Sequence, residues 1–207
     1  MTMVLLVALV AYLLGSLSFA VIVSRLSGLP DPHTYGSGNP GATNVLRTGR
    51  KWAALLTLLG DAGKGVVAVL IAAHLGGGGE GATAGLSGAV AALAALMGHL
   101  FPVFFRFRGG KGVATAAGIL LALDWRLGLA VLATWLGVAF LSRYSSLAAL
   151  SASLVAPFLA LLLGLPVAGI AAVLVMSILL LWRHRSNIVR LVQGRETRIG
   201  GERKQAD

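Results

Sequence analysis

Seven apolar stretches, at residues 3–24, 52–74, 82–100, 113–123, 127–141, 147–163 and 166–182, limit what this chain can fold into more than any other feature. In hydrocarbon every backbone N–H and C=O needs an internal partner, so long apolar runs joined by short polar loops lead to a helical bundle. A helix rises about 1.5 Å per residue and a bilayer core is about 30 Å thick, so roughly 20 residues cross it. Most of the runs approach that length. The run at 113–123 falls short, and reads either as a re-entrant piece or as a helix that starts at Gly109 and crosses where the protein is thin.

Lysine and arginine decide between the two. If all seven runs cross, Arg126 stands alone on one side, while Arg25, Arg47, Arg50, Lys51, Arg106, Arg108, Lys111, Arg143 and every basic residue from Arg183 to Lys204 share the other. Cytoplasmic loops carry the excess of Lys and Arg, which puts the N-terminus outside and the C-terminus in the cytoplasm. A re-entrant 113–123 would send Arg143 and the basic tail outside, against this bias. The expected fold is therefore all-α: a polytopic membrane protein of seven transmembrane helices, forming one domain over residues 1–207. Ser18-Phe19-Ala20 resembles a signal-peptide cleavage site, but no basic segment precedes it and the apolar run continues, so it belongs to the first helix. Residues 76–81 read as a flexible external turn.

A net charge of +10 on a chain that is 57% hydrophobic excludes few partners by itself, but its distribution does. The basic residues lie between apolar runs and aromatics make up only 7%, so nucleic acid is not expected, whereas anionic lipid and anionic substrates are. Cysteine is absent, which removes a thiol nucleophile and a thiolate metal site. No His, Asp or Glu stands at metal spacing from His99, which reads as a packed helix-end residue, and neither a metal nor a cofactor is expected.

Three polar segments fall on the cytoplasmic side. The first runs from Tyr35 to Gly49 and contains Ser37, Gly38, Asn39, Pro40, Gly41, Thr43, Asn44 and Arg47. Asn39-Pro40 reads as a cap with proline in the first helical position, and Gly49 as the stop. Glycines let backbone amides approach an anion, a helix start offers unpaired N–H groups, and Arg47 adds a bidentate fork. Gly36, Gly38 and Gly41 also match GxGxxG, but Pro30, Asp31, Pro32 and His33 stand where a dinucleotide fold needs a buried strand. A surface loop with a capped helix stays open at this point. The second segment, from Gly98 to Thr115, brings Gly109, Gly110, Lys111 and Gly112 directly into a helix, again a cradle for an oxyanion. It lacks the spacing and strand of a Walker A loop, and a basic turn on lipid headgroups is the alternative. The third runs from Arg183 to Thr197; on a continuing helix His184, Asn187 and Leu191 share a face, and Glu196 suits an ion pair with a neighbouring arginine. Asp61 and Lys64 lie inside the second apolar run, where ionisable groups face a bundle interior and support a site or neutralise each other.

Together, Ser37-Gly38-Asn39-Pro40-Gly41-Ala42-Thr43-Asn44-Val45-Leu46-Arg47, the stretch from Gly98-His99 to Thr115, and His184-Arg185-x-Asn187-Ile188-x-Arg190-Leu191 with Gly194-x-Glu196 closely resemble the three motifs of the bacterial acyl-phosphate:glycerol-3-phosphate acyltransferases. The resemblance covers nearly the whole chain, and three such motifs in this order between helices of this number are specific. It implies an enzyme of the bacterial inner membrane, with its site on the cytoplasmic face, that makes 1-acyl-glycerol 3-phosphate and phosphate as an entry to phospholipid synthesis. Acyl phosphate and glycerol 3-phosphate would be its substrates, with no obligatory protein partner. It further implies that Ser37 and Arg47 serve in the first motif, that residues 109–115, Thr115 among them, bind phosphate, that His184 and Asn187 serve in the third, and that Glu196 is a structural acid. Lys111 joins the catalytic set as a mobile positive charge.

The residues themselves agree with this reading. Joining two phosphates and one fatty chain calls for two anion cradles at a membrane surface. The pair of His followed four residues later by Asp, expected of an enzyme that takes acyl-CoA, is absent after His33, His74, His99 and His184. An anion transporter is the competing class, but it calls for repeat halves and broken helices at mid-membrane, and no internal repeat is visible. A structural membrane protein has no need of three polar, glycine-bearing motifs on one face.

Overall fold

The computed structural model describes residues 2–76 and 83–200. Most of the glycine-rich turn at 76–81 therefore lies outside the described residues, as do Ala82, Arg203 and Lys204. The described residues form α1 (Thr2–Gly15), α2 (Phe19–Leu26), α3 (Ala42–Leu46), α4 (Lys51–Leu75) and α5 (Leu86–Leu100), then one turn of 3₁₀ helix at Val103–Phe105. These are followed by α6 (Val113–Leu123), α7 (Trp125–Ser142), α8 (Ser145–Leu162), α9 (Val167–Arg183) and α10 (Arg185–Val192). No strand occurs among the described residues.

Five helical segments are long and apolar enough to cross a membrane, or six if the bent pair α9 and α10 forms one span. The short run behaves as neither expectation in full. Its helix α6 begins at Val113, not at Gly109, because Gly112 takes φ +86° as the N-cap residue and fixes the start there. At 11 residues α6 is about 17 Å long, well short of a bilayer core.

Small residues set how closely the helices approach. A Cβ on Gly15 would run into the carbonyl of Ala95, and one on Gly98 into that of Tyr12, so α1 and α5 meet backbone to backbone. Gly65 and Gly118 do the same for α4 and α6, against Thr115 and Ala62. Such contacts suit helices in lipid, where van der Waals packing replaces the hydrophobic drive for association. Helix α5 packs on α1, α4, α6 and α9, with Leu96 and Leu100 fully buried, and forms the hub. Large apolar side chains such as Phe140, Phe158 and Leu162 point outward; Phe140 is 85% exposed, a solvent match for hydrocarbon rather than water.

Two helices expected to be continuous are broken. The first apolar run stops at Gly15 and resumes at Phe19. The Leu17 carbonyl, in the gap, accepts from Lys64 Nζ at 2.6 Å, so a charged side chain from α4 satisfies the backbone group that the break releases. At the other end of the chain α9 and α10 meet at 56° around His184, where a single helix was expected.

The helices bring segments 27–50, 101–112, 143–146 and 184–200 to one end. His33 Nε2 donates to the Arg108 carbonyl at 3.0 Å, Arg183 Nη2 to the Gly109 and Gly110 carbonyls at 2.8 Å each, and Ile199 N to the Arg143 carbonyl at 2.6 Å. Asp124 and Arg126, an ion pair of 2.6 Å at the start of α7, lie with Thr83 and residues 163–166 around a separate depression.

Candidate active site

The first polar loop is shaped by one buried side chain. Asn44 on α3 accepts from Ser37 N at 3.0 Å through Oδ1, and donates through Nδ2 to the carbonyls of Pro32 (2.9 Å) and Tyr35 (3.2 Å). Its amide therefore holds the loop rather than offering a free group to a ligand. Gly36 and Gly38 turn with φ +57° and +67°, and a Cβ on Gly36 would collide with Asn44 Oδ1. The helix start differs from expectation: Gly41, not Asn39, is the N-cap, so α3 has five residues and Pro40 lies before it. Gly49, with φ +79°, ends the turn that follows α3.

The second loop is held by its carbonyls. Arg183 grips Gly109 and Gly110 from the far side, and Gly110 N donates to the His99 carbonyl at 3.2 Å. The Gly110 amide is thus already engaged, and a Cβ there would strike His99 Nε2. Lys111, next in the chain, donates through Nζ to Asn187 Oδ1. Burial holds the Lys111 ammonium down to a pKa of about 8; Glu196 opposes that shift, and Arg190, Arg183 and Arg47 add to it.

The third segment closes around Glu196. Its Oε1 accepts from Asn187 Nδ2 at 2.6 Å and Ser146 Oγ at 2.9 Å, and its Oε2 pairs with Arg190 Nε at 2.7 Å. Although burial raises the Glu196 pKa, the Arg190, Asn187 and Ser146 hydrogen bonds outweigh it and leave the carboxyl below its ordinary value. His184 and Asn187 are both buried in spite of the bend between α9 and α10. The Leu180 carbonyl can only accept, so His184 Nδ1, at 2.8 Å, carries the proton and Nε2 keeps the lone pair.

These segments enclose a cavity of about 1350 Å³. Ser37, Asn39, Gly41, Thr43, Asn44 and Arg47 line its mouth from the first loop, Lys111 and Gly112 from the second, and His184, Asn187 and Glu196 from the third. Asp61 and His99 line it from below. Deeper, it runs between α6, α7, α8 and α9 along Leu120, Val131, Leu132, Trp135, Ala152 and Met176. Gly38, Lys64, Gly109, Gly110 and Thr115, all expected near a ligand or in support of one, do not line it. Among the described residues Ser37 Oγ and His184 share no hydrogen bond, and the Ser37 hydroxyl is met there only by Asn39 N, at 3.4 Å. Among the described residues no group of three or more His, Cys, Asp or Glu is placed to hold a metal ion.

The sequence profile of the family described as glycerol-3-phosphate acyltransferase matches residues 5–194. The chain belongs to that family. A glycerol-3-phosphate acyltransferase of Cupriavidus taiwanensis is 62% identical over 200 residues, covering 97% of this chain and 98% of the relative. One of Paraburkholderia xenovorans is 59% identical over 206 residues, covering 98% and 94%. The crystal structure of PlsY (YgiH), an integral membrane glycerol 3-phosphate acyltransferase, in its glycerol 3-phosphate form superposes with a TM-score of 0.87 at 38% identity, over 94% of each chain. Its lysophosphatidic acid form gives 0.86.

In this membrane-embedded glycerol-3-phosphate acyltransferase, sequence reasoning missed Ser146 and Arg183 and treated His99 as packing alone, while Arg190, quoted in the third motif, supplies the ion pair expected for Glu196. Nothing local marks Ser146, 50 residues from Glu196. Arg183 was legible only as one more basic residue beside a span. His99 sits in the second motif, and its place there was the available signal.

Proposed function

We propose that this acyltransferase transfers a fatty acyl group from acyl phosphate to the 1-hydroxyl of glycerol 3-phosphate, releasing 1-acyl-glycerol 3-phosphate and phosphate. The observation that carries the reading is a single cavity with a cationic, hydroxyl-bearing mouth and an apolar bore. PlsY, the solved relative, has glycerol 3-phosphate and lysophosphatidic acid forms, which fit the acceptor and product assigned to this chain. The mouth suits two phosphates, and the bore suits one acyl chain. Arg47 and Lys111 hold phosphate charge, while Ser37, His184 and Asn187 orient the glycerol backbone. Glu196 fixes Asn187 and through it Lys111; Asn44 and the glycines shape the first loop. Asp61 and Lys64 support the site from within the bundle.

Acyl phosphate is a mixed anhydride with a good leaving group, so the protein mainly has to align donor and hydroxyl and stabilise the charge that develops. The hydroxyl oxygen attacks the acyl carbon, the bond from that carbon to the phosphate oxygen breaks, and the hydroxyl proton passes to His184 Nε2 or to a phosphate oxygen. The chain crosses the inner membrane seven times, α6 included, with the site on the cytoplasmic face. This topology gathers the basic segments on the cytoplasmic side and leaves Arg126 outside, paired with Asp124.

The test compares donors. Purified protein in detergent should form 1-acyl-glycerol 3-phosphate from palmitoyl phosphate and glycerol 3-phosphate, and none from palmitoyl-CoA. Turnover with palmitoyl-CoA, and none with palmitoyl phosphate, would assign the donor to the thioester class instead.

A further inference from the structure

Below the second loop lies a buried chain of polar groups around His99, a residue that the proposed roles leave unused. Lys64 Nζ donates to the Leu17 carbonyl at 2.6 Å and to His99 Nδ1 at 2.9 Å, and lies 2.9 Å from the Asp61 carboxylate. The last is an ion-pair contact rather than a well-aimed hydrogen bond. Thr115 Oγ1 also lies 3.1 Å from His99 Nδ1, while Asp61 Oδ1, at 3.7 Å, is too far to take a proton from it.

An ammonium has donors and no lone pair, so a Lys64 to Nδ1 bond requires the lone pair of the imidazole at Nδ1. The ring proton is then on Nε2. Nε2 has no hydrogen-bond partner among the described residues and is not fully buried. It sits where a Cβ on Gly110 would be, close to the Pro40 carbonyl, and His99 lines the cavity with Pro40 and Lys111. This is an N–H held by its neighbours, without a partner among the described residues, beside Gly110 and Pro40 at the wall of the cavity.

We infer that His99 is a further catalytic residue, whose Nε2–H donates to the acyl carbonyl oxygen as negative charge develops on it. The inference rests on the acyl-transfer reading above. A neutral imidazole N–H beside Asp61 suits an oxygen that gains charge only in the transition state. The phosphates, charged throughout, are matched by Arg47 and Lys111. As the glycerol oxygen adds to the acyl carbon, the carbonyl electron pair moves onto oxygen against Nε2–H; it returns as the phosphate leaves with its bonding pair. His99 neither gains nor loses a proton.

Removing one such donor typically costs about 10²–10³ in kcat. His99→Ala should lower kcat by about 10² while moving KM for palmitoyl phosphate and for glycerol 3-phosphate by less than about threefold. His99→Gln, which restores an N–H, should recover at least about tenfold of that loss. The wild-type protein run in parallel separates the two claims, since a wild type that does not use palmitoyl phosphate refutes the donor reading and leaves His99 untouched. A readout independent of turnover is ¹⁵N NMR of histidine-labelled wild type, with the signal assigned by its loss in His99→Ala. A protonated Nε2 and an unprotonated Nδ1 at neutral pH are expected. An Nδ1–H ring or an imidazolium, a His99→Ala enzyme with wild-type kcat, or a loss confined to KM would each overturn the proposal.

Discussion

Lys111 is the residue whose chemistry is most open to a simple measurement. With its pKa held near 8 by burial, it is charged below that pH and neutral above it. A role in holding phosphate needs the charged form, so kcat/KM for the donor should fall as pH rises through about 8, because that ratio reports the free enzyme. Lys111→Arg, which stays charged throughout, should flatten the alkaline limb even if its absolute rate is lower. An alkaline limb of the same midpoint in the arginine variant would assign the titration to another group. What the sequence makes legible at this scale is proximity: Ser37, Arg47, Lys111, His184 and Asn187, picked out from three separate motifs, all line one cavity. What was hidden is partnership. Asn44 reads as a ligand until its amide is seen holding three points of its own loop. Lys64 and Leu17, 47 residues apart, give no local sign that they meet.

At the scale of the element, α6 carries the second loop into the bundle, and its position depends on two glycine contacts with α4. Gly118→Leu would drive a side chain into the Ala62 carbonyl, an overpacking cost of about 1–3 kcal/mol if the fold survives. The melting temperature in detergent should fall, and activity with it, as Lys111 moves with the loop. Gly137→Leu on α7 meets open space and should change neither. Equal loss in the two variants would mean that the contact between α4 and α6 is not what places the loop. Hydrophobic runs marked where these helices lie, because burial in lipid needs only length and apolarity. The breaks were not legible. Ser16–Ser18 and His184 interrupt apolar or helix-compatible sequence, and each interruption is stabilised by a distant group or by the bend that closes α10 over the cavity. The start of α3 was misplaced for a related reason: Asn39-Pro40 has the local chemistry of a cap, but the loop held by Asn44 leaves Gly41 at that position.

For the whole molecule, the distribution of charge predicts orientation. The chain has no cysteine, so single cysteines introduced at Arg126 and at Ser186 report cleanly on topology. Under seven crossings, a membrane-impermeant maleimide should label the Arg126 position from outside and the Ser186 position only after the membrane is opened. Because α7, α8 and α9 separate the two positions, they stay on opposite sides; labelling of the Ser186 position from outside, with the Arg126 position reached only after the membrane is opened, would contradict this orientation. In the proposed reading both substrates share one cavity, with the acyl chain in the bore and the two phosphates at the mouth, so the acyl group needs no stop on the protein. Direct transfer is the central claim, and Ser37 is the residue that would betray it. The measurement is mass spectrometry of the denatured protein after incubation with isotopically labelled palmitoyl phosphate alone. The account predicts an unmodified chain and, on adding glycerol 3-phosphate, labelled 1-acyl-glycerol 3-phosphate equal in amount to the phosphate released. A stoichiometric palmitoyl adduct on Ser37 that glycerol 3-phosphate discharges would contradict it.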